Sequence, residues 1–123
     1  MDADTQTIIW NRAAMAGGGP APRPGDTALA AALRLHNMIM SGGLDHALDV
    51  LAPDDFAAAA SGFRYLQLSD AAELAEQAQA ATSDDQLEEL DARYSALIPR
   101  DQVLSDQLEA LFQERPGDFA PTS

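Results

Sequence analysis

Cysteine and lysine are both missing from this 123-residue chain, and each absence removes a class of explanation. Without cysteine there is no disulfide and no thiolate metal site, which is compatible with a reducing compartment. Without lysine the positive charge rests on seven arginines alone, against twenty Asp and Glu, and the net charge is −13. A surface of that sign repels nucleic-acid phosphates and anionic lipid, so direct binding to either is disfavoured and a basic protein is favoured. Long apolar runs are missing too. The longest, around Ala28 to Met40, is interrupted by Arg34, His36 and Asn37 and is too short for a membrane span. The first residues, Met1-Asp2-Ala3-Asp4, show neither the basic nor the apolar part of a secretory signal. A soluble, cytoplasmic protein is the expectation.

What is present is a normal share of apolar residues, 46% of the chain, so the acidity overlies a core large enough to fold unaided. The length suits one domain over residues 1–123. Gly, Pro and capping residues fall where helix ends belong, and no segment alternates with a period of two. The pattern predicts an all-α domain of six or seven helices. Thr5 to Met15 is the first, and the Gly/Pro-rich stretch Ala16 to Gly25 connects it to the second. Asp26 is placed to cap that second helix, Thr27 to Ser41, whose Leu29, Leu33, Leu35, His36, Ile39 and Met40 wrap most of its circumference. Gly42-Gly43 ends it in a left-handed turn, and Leu44 to Leu51 forms a short third helix.

Pro53 opens the fourth helix, with Phe56, Ala60, Phe63 and Leu66 on one stripe. Ser69 caps a fifth, Asp70 to Ala81. Ser83 and Gln86 make a capping-box pattern for a sixth, which carries Leu87, Leu90, Tyr94 and Leu97 on one face. Pro99 breaks it. The seventh runs from Asp101 to Glu114 with Leu104, Leu108, Leu111 and Phe112 inward. Pro116-Gly117 stops it, and Ala120 to Ser123 is expected to fray.

Residues able to carry catalysis are scarce. His36, on an apolar helix, reads as a packed core imidazole with hydrogen-bond partners. His46 stands between Asp45 and Asp49, but a step of about 100° per residue turns it away from the face those two share, so no metal site is expected. Gly17-Gly18-Gly19 lacks the Lys-Ser/Thr that a phosphate loop needs. The carboxylate pairs Asp54-Asp55, Asp84-Asp85 and Glu88-Glu89 sit at first turns or on polar faces. There, water screens them and no apolar pocket raises a pKa for acid–base work. Asp54, Asp55, Asp70, Asp84 and Asp85 complement helix dipoles instead. No catalytic residue, metal or cofactor is predicted, and the chain does not read as an enzyme.

The acids that avoid the apolar stripes are the candidate binding residues: Glu73, Glu76, Asp84, Asp85, Glu88, Glu89, Asp106 and Glu109. Neighbours three or four apart on a helix lie roughly 5–6 Å from one another, a spacing close to that of phosphates along a strand. Helices side by side would present carboxylates in rows, as a duplex presents phosphates. A solvated face that serves only solubility accounts for the same pattern.

Short motifs add a resemblance. Leu35-His36-Asn37 leading into Ser41-Gly42-Gly43-Leu44, then Gly62-Phe63-Arg64-Tyr65-Leu66, Leu90-Asp91-Ala92-Arg93-Tyr94, Phe112 and Arg115-Pro116-Gly117-Asp118-Phe119 follow one another. In these the chain resembles a family of small acidic all-helical bacterial proteins, whose best-described member is the DNA mimic of type nineteen in its naming series. Ser41 stands where that family usually has Asn. The resemblance implies an acidic protein, possible as a homodimer, that occupies the DNA-binding face of a basic helix-turn-helix transcription regulator. An immunity or antitoxin-like protein that neutralises a basic toxin would use the same charge differently.

Overall fold

A computed structural model describes residues 1–122, which form six α-helices and one 3-10 turn, with no strand among the described residues. The helices are α1 (Ala3–Ala16), α2 (Pro24–Val50), α3 (Pro53–Tyr65), α4 (Ser69–Ala80), α5 (Asp84–Leu97) and α6 (Gln102–Glu114), followed by the turn Pro116–Asp118. The expected all-α class is the observed one.

Helix α2 is central and packs against α1, α3, α5 and the 3-10 turn. Its Leu29, Leu33, Leu35, His36 and Ile39 are buried, whereas Met40, expected among them, is exposed. Helix α3 runs antiparallel to it. Gly62 sits on the Ala28 carbonyl, where a Cβ would approach to 2.4 Å, and at the other end Arg34 Nε lies 3.5 Å from Asp55 Oδ1. Phe56, Ala59, Ala60 and Phe63 fill the space between them and α4.

The second and third expected helices are one element with a break. Gly43 has φ +80° and ψ 179°, a positive-φ extended conformation open essentially to glycine alone, and not the left-handed turn expected there. Helical geometry resumes at once because Asp91 of α5 supplies the missing cap. Its Oδ1 accepts the Leu44 N–H at 2.8 Å. A cap contributed by another helix is invisible to local pattern reading.

Helix starts differ from expectation for similar reasons. Asp2 caps α1, its Oδ1 accepting the Thr5 N–H at 2.7 Å, which holds that carboxyl below its ordinary value. Asp26 is not the N-cap of α2. The helix begins at Pro24, inside the expected connector, and Asp26 lies one turn in, fully buried. Its Oδ2 accepts the N–H groups of Arg23 (3.0 Å) and Ala120 (2.7 Å), and its Oδ1 lies 3.2 Å from Arg12 Nη2. Arg12 in turn donates to the carbonyls of Ala120 (3.0 Å) and Pro121 (2.9 Å). Ala120 and Pro121 are therefore held, where fraying was expected; Ser123 lies outside the described residues.

Ser69 is already helical, with Leu68 at the cap position. Ser83 does cap α5, its Oγ accepting the Gln86 N–H at 3.3 Å, but Gln86 Oε1 reaches back to the Thr82 N–H at 2.7 Å. On α5 Leu97 is exposed, and Ile98, just past the helix, takes the core position instead.

Candidate functional site

The eight acids follow from which face each helix buries. Helix α4 turns Ala71, Ala72, Leu74, Ala75 and Ala78 inward, which puts Glu73 and Glu76 outside. Helix α5 buries only Leu90 and Tyr94, so Asp84, Asp85, Glu88 and Glu89 meet solvent. Helix α6 buries Leu104, Leu108 and Leu111, leaving Asp106 and Glu109 exposed. Asp84 and Asp85 occupy the first turn of α5, where they complement the helix dipole as expected, as do Asp54 and Asp55 on α3 and Asp70 on α4.

Helices α4 and α5 pack against each other, and six of the eight carboxylates lie on this pair. Two arginines also reach it. Arg64 of α3 forms an ion pair with Glu76. Arg93 Nη1 donates to Gln77 Oε1 at 3.0 Å, and Arg93 shares with Glu89 the lining of a groove of about 250 Å³ between the helices. The other two candidates lie on α6. Asp106 accepts from Gln102 Nε2 at 2.7 Å within α6, and the neighbouring Ser105 is hydrogen-bonded to Gln6 of α1. Among the described residues, arginine–carboxylate pairs involve only Asp26, Asp55 and Glu76.

His36 is buried, as its apolar helix implies, and both ring nitrogens are engaged. Nδ1 lies 2.7 Å from the Tyr94 hydroxyl and Nε2 2.8 Å from Asp101 Oδ1. In the neutral imidazole with Nε2–H donated to Asp101, Nδ1 is the acceptor for the Tyr94 O–H. Burial, and then the Asp101 charge, push the Tyr94 hydroxyl far above the usual phenol range. The His36, Tyr94 and Asp101 side chains tie α2, α5 and the start of α6 together. With Tyr94 1% exposed, its hydroxyl cannot meet a substrate. Neither Tyr94 nor Asp101 was singled out from sequence as a partner of His36. The one available signal was that a buried imidazole needs two polar neighbours. His46 is exposed, and the described residues contain no group of three or more His, Asp and Glu side chains arranged to hold a metal ion. Among the described residues no helix is long and apolar enough to cross a membrane.

A family model described as DMP19-like protein matches residues 22–119. The chain belongs to the DMP19-like family. No curated protein and no solved structure matches it. The DMP19-like span begins just before α2 and ends at Phe119, so it takes in α2 to α6 and the 3-10 turn and leaves out α1. Two long-range polar arrangements that hold α5 against α2 lie inside it: the His36–Tyr94–Asp101 chain and the Asp91 cap on Leu44.

Proposed function

We propose that this protein is an acidic DNA mimic, which binds a basic DNA-binding protein such as a helix-turn-helix transcription regulator and competes with DNA for it. It acts by binding, not by catalysis, and needs no cofactor. The observation that carries this reading is the set Glu73, Asp84, Asp85, Glu88 and Glu89. All five are exposed and without an arginine ion pair, and they lie on two helices that pack side by side. Residues three or four apart on a helix lie within roughly 5–6 Å, so Asp85 with Glu88 and Glu89 presents negative charge at intervals like those of a phosphate backbone. The resemblance of the motifs implies the same activity, and the family match supports that resemblance.

Long-range attraction between the −13 protein and a cationic DNA-binding face speeds encounter, and salt weakens it. The test is competition. A regulator encoded near the gene is mixed with its labelled operator, and this protein is titrated in across a salt series. Operator release at low salt that fades as salt rises is the expected result. The triple variant Glu73→Gln/Glu88→Gln/Glu89→Gln is expected to compete about tenfold or more less well, because each lost charge pair near a surface is worth up to about 1 kcal/mol. Asp106→Asn/Glu109→Asn, on α6, is expected to change little. Operator binding left intact by the protein at low salt, with every neighbouring regulator tried, overturns the reading. So does protection against a basic toxin with no effect on any operator.

A further inference from the structure

Of the twenty acids, one lines the long concave surface that runs along α2 and α3. Two grooves of about 580 and 520 Å³ form this surface, sharing Thr27, Ala31 and Ala58, with the end of α1 along one side. The one acid is Asp55, and Arg34 answers it at 3.5 Å. The two most exposed large apolar side chains among the described residues, Met15 (82%) and Val50 (55%), line it too. A seam without unanswered acid and with exposed apolar groups, on a molecule of net charge −13, has the character of a protein–protein contact.

Its spacing is that of a helix-packing face. On α2 the lining residues Thr27, Ala31, Arg34 and Met38 recur every three or four positions, over roughly 16 Å or about three turns. Small side chains at Thr27, Ala31 and Ala58 hold the middle, so another helix can approach closely. The charges are ordered along the seam. Arg23, steadied by the Gly117 carbonyl at 3.2 Å, lines the Pro22 end, and Asp55 lies in the half toward Val50. A two-fold axis through the middle reverses one seam over another, so each Arg23 end meets a Val50–Asp55 end. A basic partner finds no unanswered carboxylate lining this surface. A second copy offers the same small, apolar stripe with the charges in the opposite order. Repulsion between two chains of −13 is spread over both molecules and is screened by salt, while the seam itself brings few charges together.

We propose that the α2–α3 seam is the face on which two copies of this chain pair about a two-fold axis, α2 antiparallel across α2, with Arg23 of each copy toward Asp55 of the other. The motif resemblance allows a homodimer but assigns it no face. None of the eight candidate acids lines the seam, so pairing leaves them outside the contact and presents the α4–α5 carboxylates twice. The pairing does not depend on what those acids bind.

Sedimentation equilibrium of the full chain reads the pairing directly, the mass rising from 13.0 kDa to twice that value as concentration increases. Raising salt from about 0.1 M to about 0.5 M shortens the screening length from about 10 Å to roughly 4 Å. The dimer is expected to tighten over that range, the opposite of the effect expected on operator competition. Ala58→Glu, in the middle of the seam, is expected to weaken pairing about tenfold or more, because it buries an unpaired carboxylate against the other copy. Its helical circular-dichroism spectrum is expected to be unchanged; should it misfold, Met15→Ser is expected to weaken pairing several-fold. Arg23→Glu and Asp55→Arg are each expected to weaken it as well. Their equimolar mixture is expected to recover it, since a two-fold pair of the two variants has oppositely charged ends again. Methionine-methyl NMR shifts that move with concentration at Met15 and Met38, and not at Met40, locate the contact. A chain that stays at 13.0 kDa up to millimolar concentration at high salt overturns the proposal. So does a dimer indifferent to both Ala58→Glu and Met15→Ser, or one whose shifts fall on α4 and α5. A mixture of the folded charge variants that pairs no better than either alone overturns it too, as does an open-ended series of larger oligomers.

Discussion

At Gly62 the missing side chain is what allows the two innermost helices to touch. The Ala28 carbonyl oxygen stands 2.4 Å from where a Cβ would be, and both groups belong to backbones that other helices hold in place. Gly62→Ala is therefore expected to destabilise by roughly 1–3 kcal/mol, seen as a lower urea midpoint, with α2 and α3 forced apart. Tyr94 gives a second test. Tyr94→Phe leaves His36 Nδ1 buried without a donor, at a cost of roughly 1–3 kcal/mol. The same hydroxyl sets an alkaline limit. Its pKa is raised in the folded state by burial and by Asp101, while in the unfolded chain it ionises near 10. Above about pH 10 the unfolded chain gives up a proton that the folded chain keeps, so this contribution to stability is complete below that pH and is lost as pH rises. Urea unfolding across pH 9 to 11 is expected to show a decline that is shallower in Tyr94→Phe, and tyrosinate absorbance is expected to show Tyr94 titrating later than Tyr65, whose hydroxyl pKa is also raised, by burial and by Asp118.

Among the elements, the break in α2 ties the central helix to the acidic pair. Gly43→Ala places an L-residue in a conformation that costs about 1–3 kcal/mol and brings a Cβ to 3.2 Å from Asp91 Oδ2. Asp91→Ala removes the cap from Leu44 and is expected to cost about 1 kcal/mol, with faster amide exchange over Leu44 to Val50 as the readout. The same break shows how far the sequence could be read. Helical periodicity and punctuation locate every helix to within a few residues, because apolar spacing on α2, α3 and α6 reflects burial directly. Asp26 was legible as a helix-start residue but not as a buried hub, since its partners Arg12 and Ala120 lie far off along the chain. Leu97 and Ile98 exchange roles for a local reason: the helix ends between them and the last residue turns inward. Of the candidate acids, exposure was legible one helix at a time. That Arg64 reaches Glu76 depends on packing, which no periodicity reveals.

For the whole molecule, charge is the dominant fact. Twenty acids against seven arginines repel one another in the compact state more than in the expanded one. Added sodium chloride is expected to raise the melting temperature by a few degrees between low and physiological ionic strength, while weakening any capture of a basic regulator. Opposite responses of stability and binding to one variable, measured by thermal denaturation and operator competition, would mark self-repulsion and partner attraction as effects of the same surface.

The Arg12–Asp26 pair has a consequence for biosynthesis. Apart from the nearby Arg23 N–H, its remaining hydrogen-bond partners are Ala120 and Pro121, about a hundred positions downstream of Arg12. Contacts so distant along the chain close late, after nearer ones have formed. While α6 is still being added, Arg12 and Asp26 wait half-satisfied. This corner of the fold locks only when the segment after the 3-10 turn is drawn back across α1 and the start of α2.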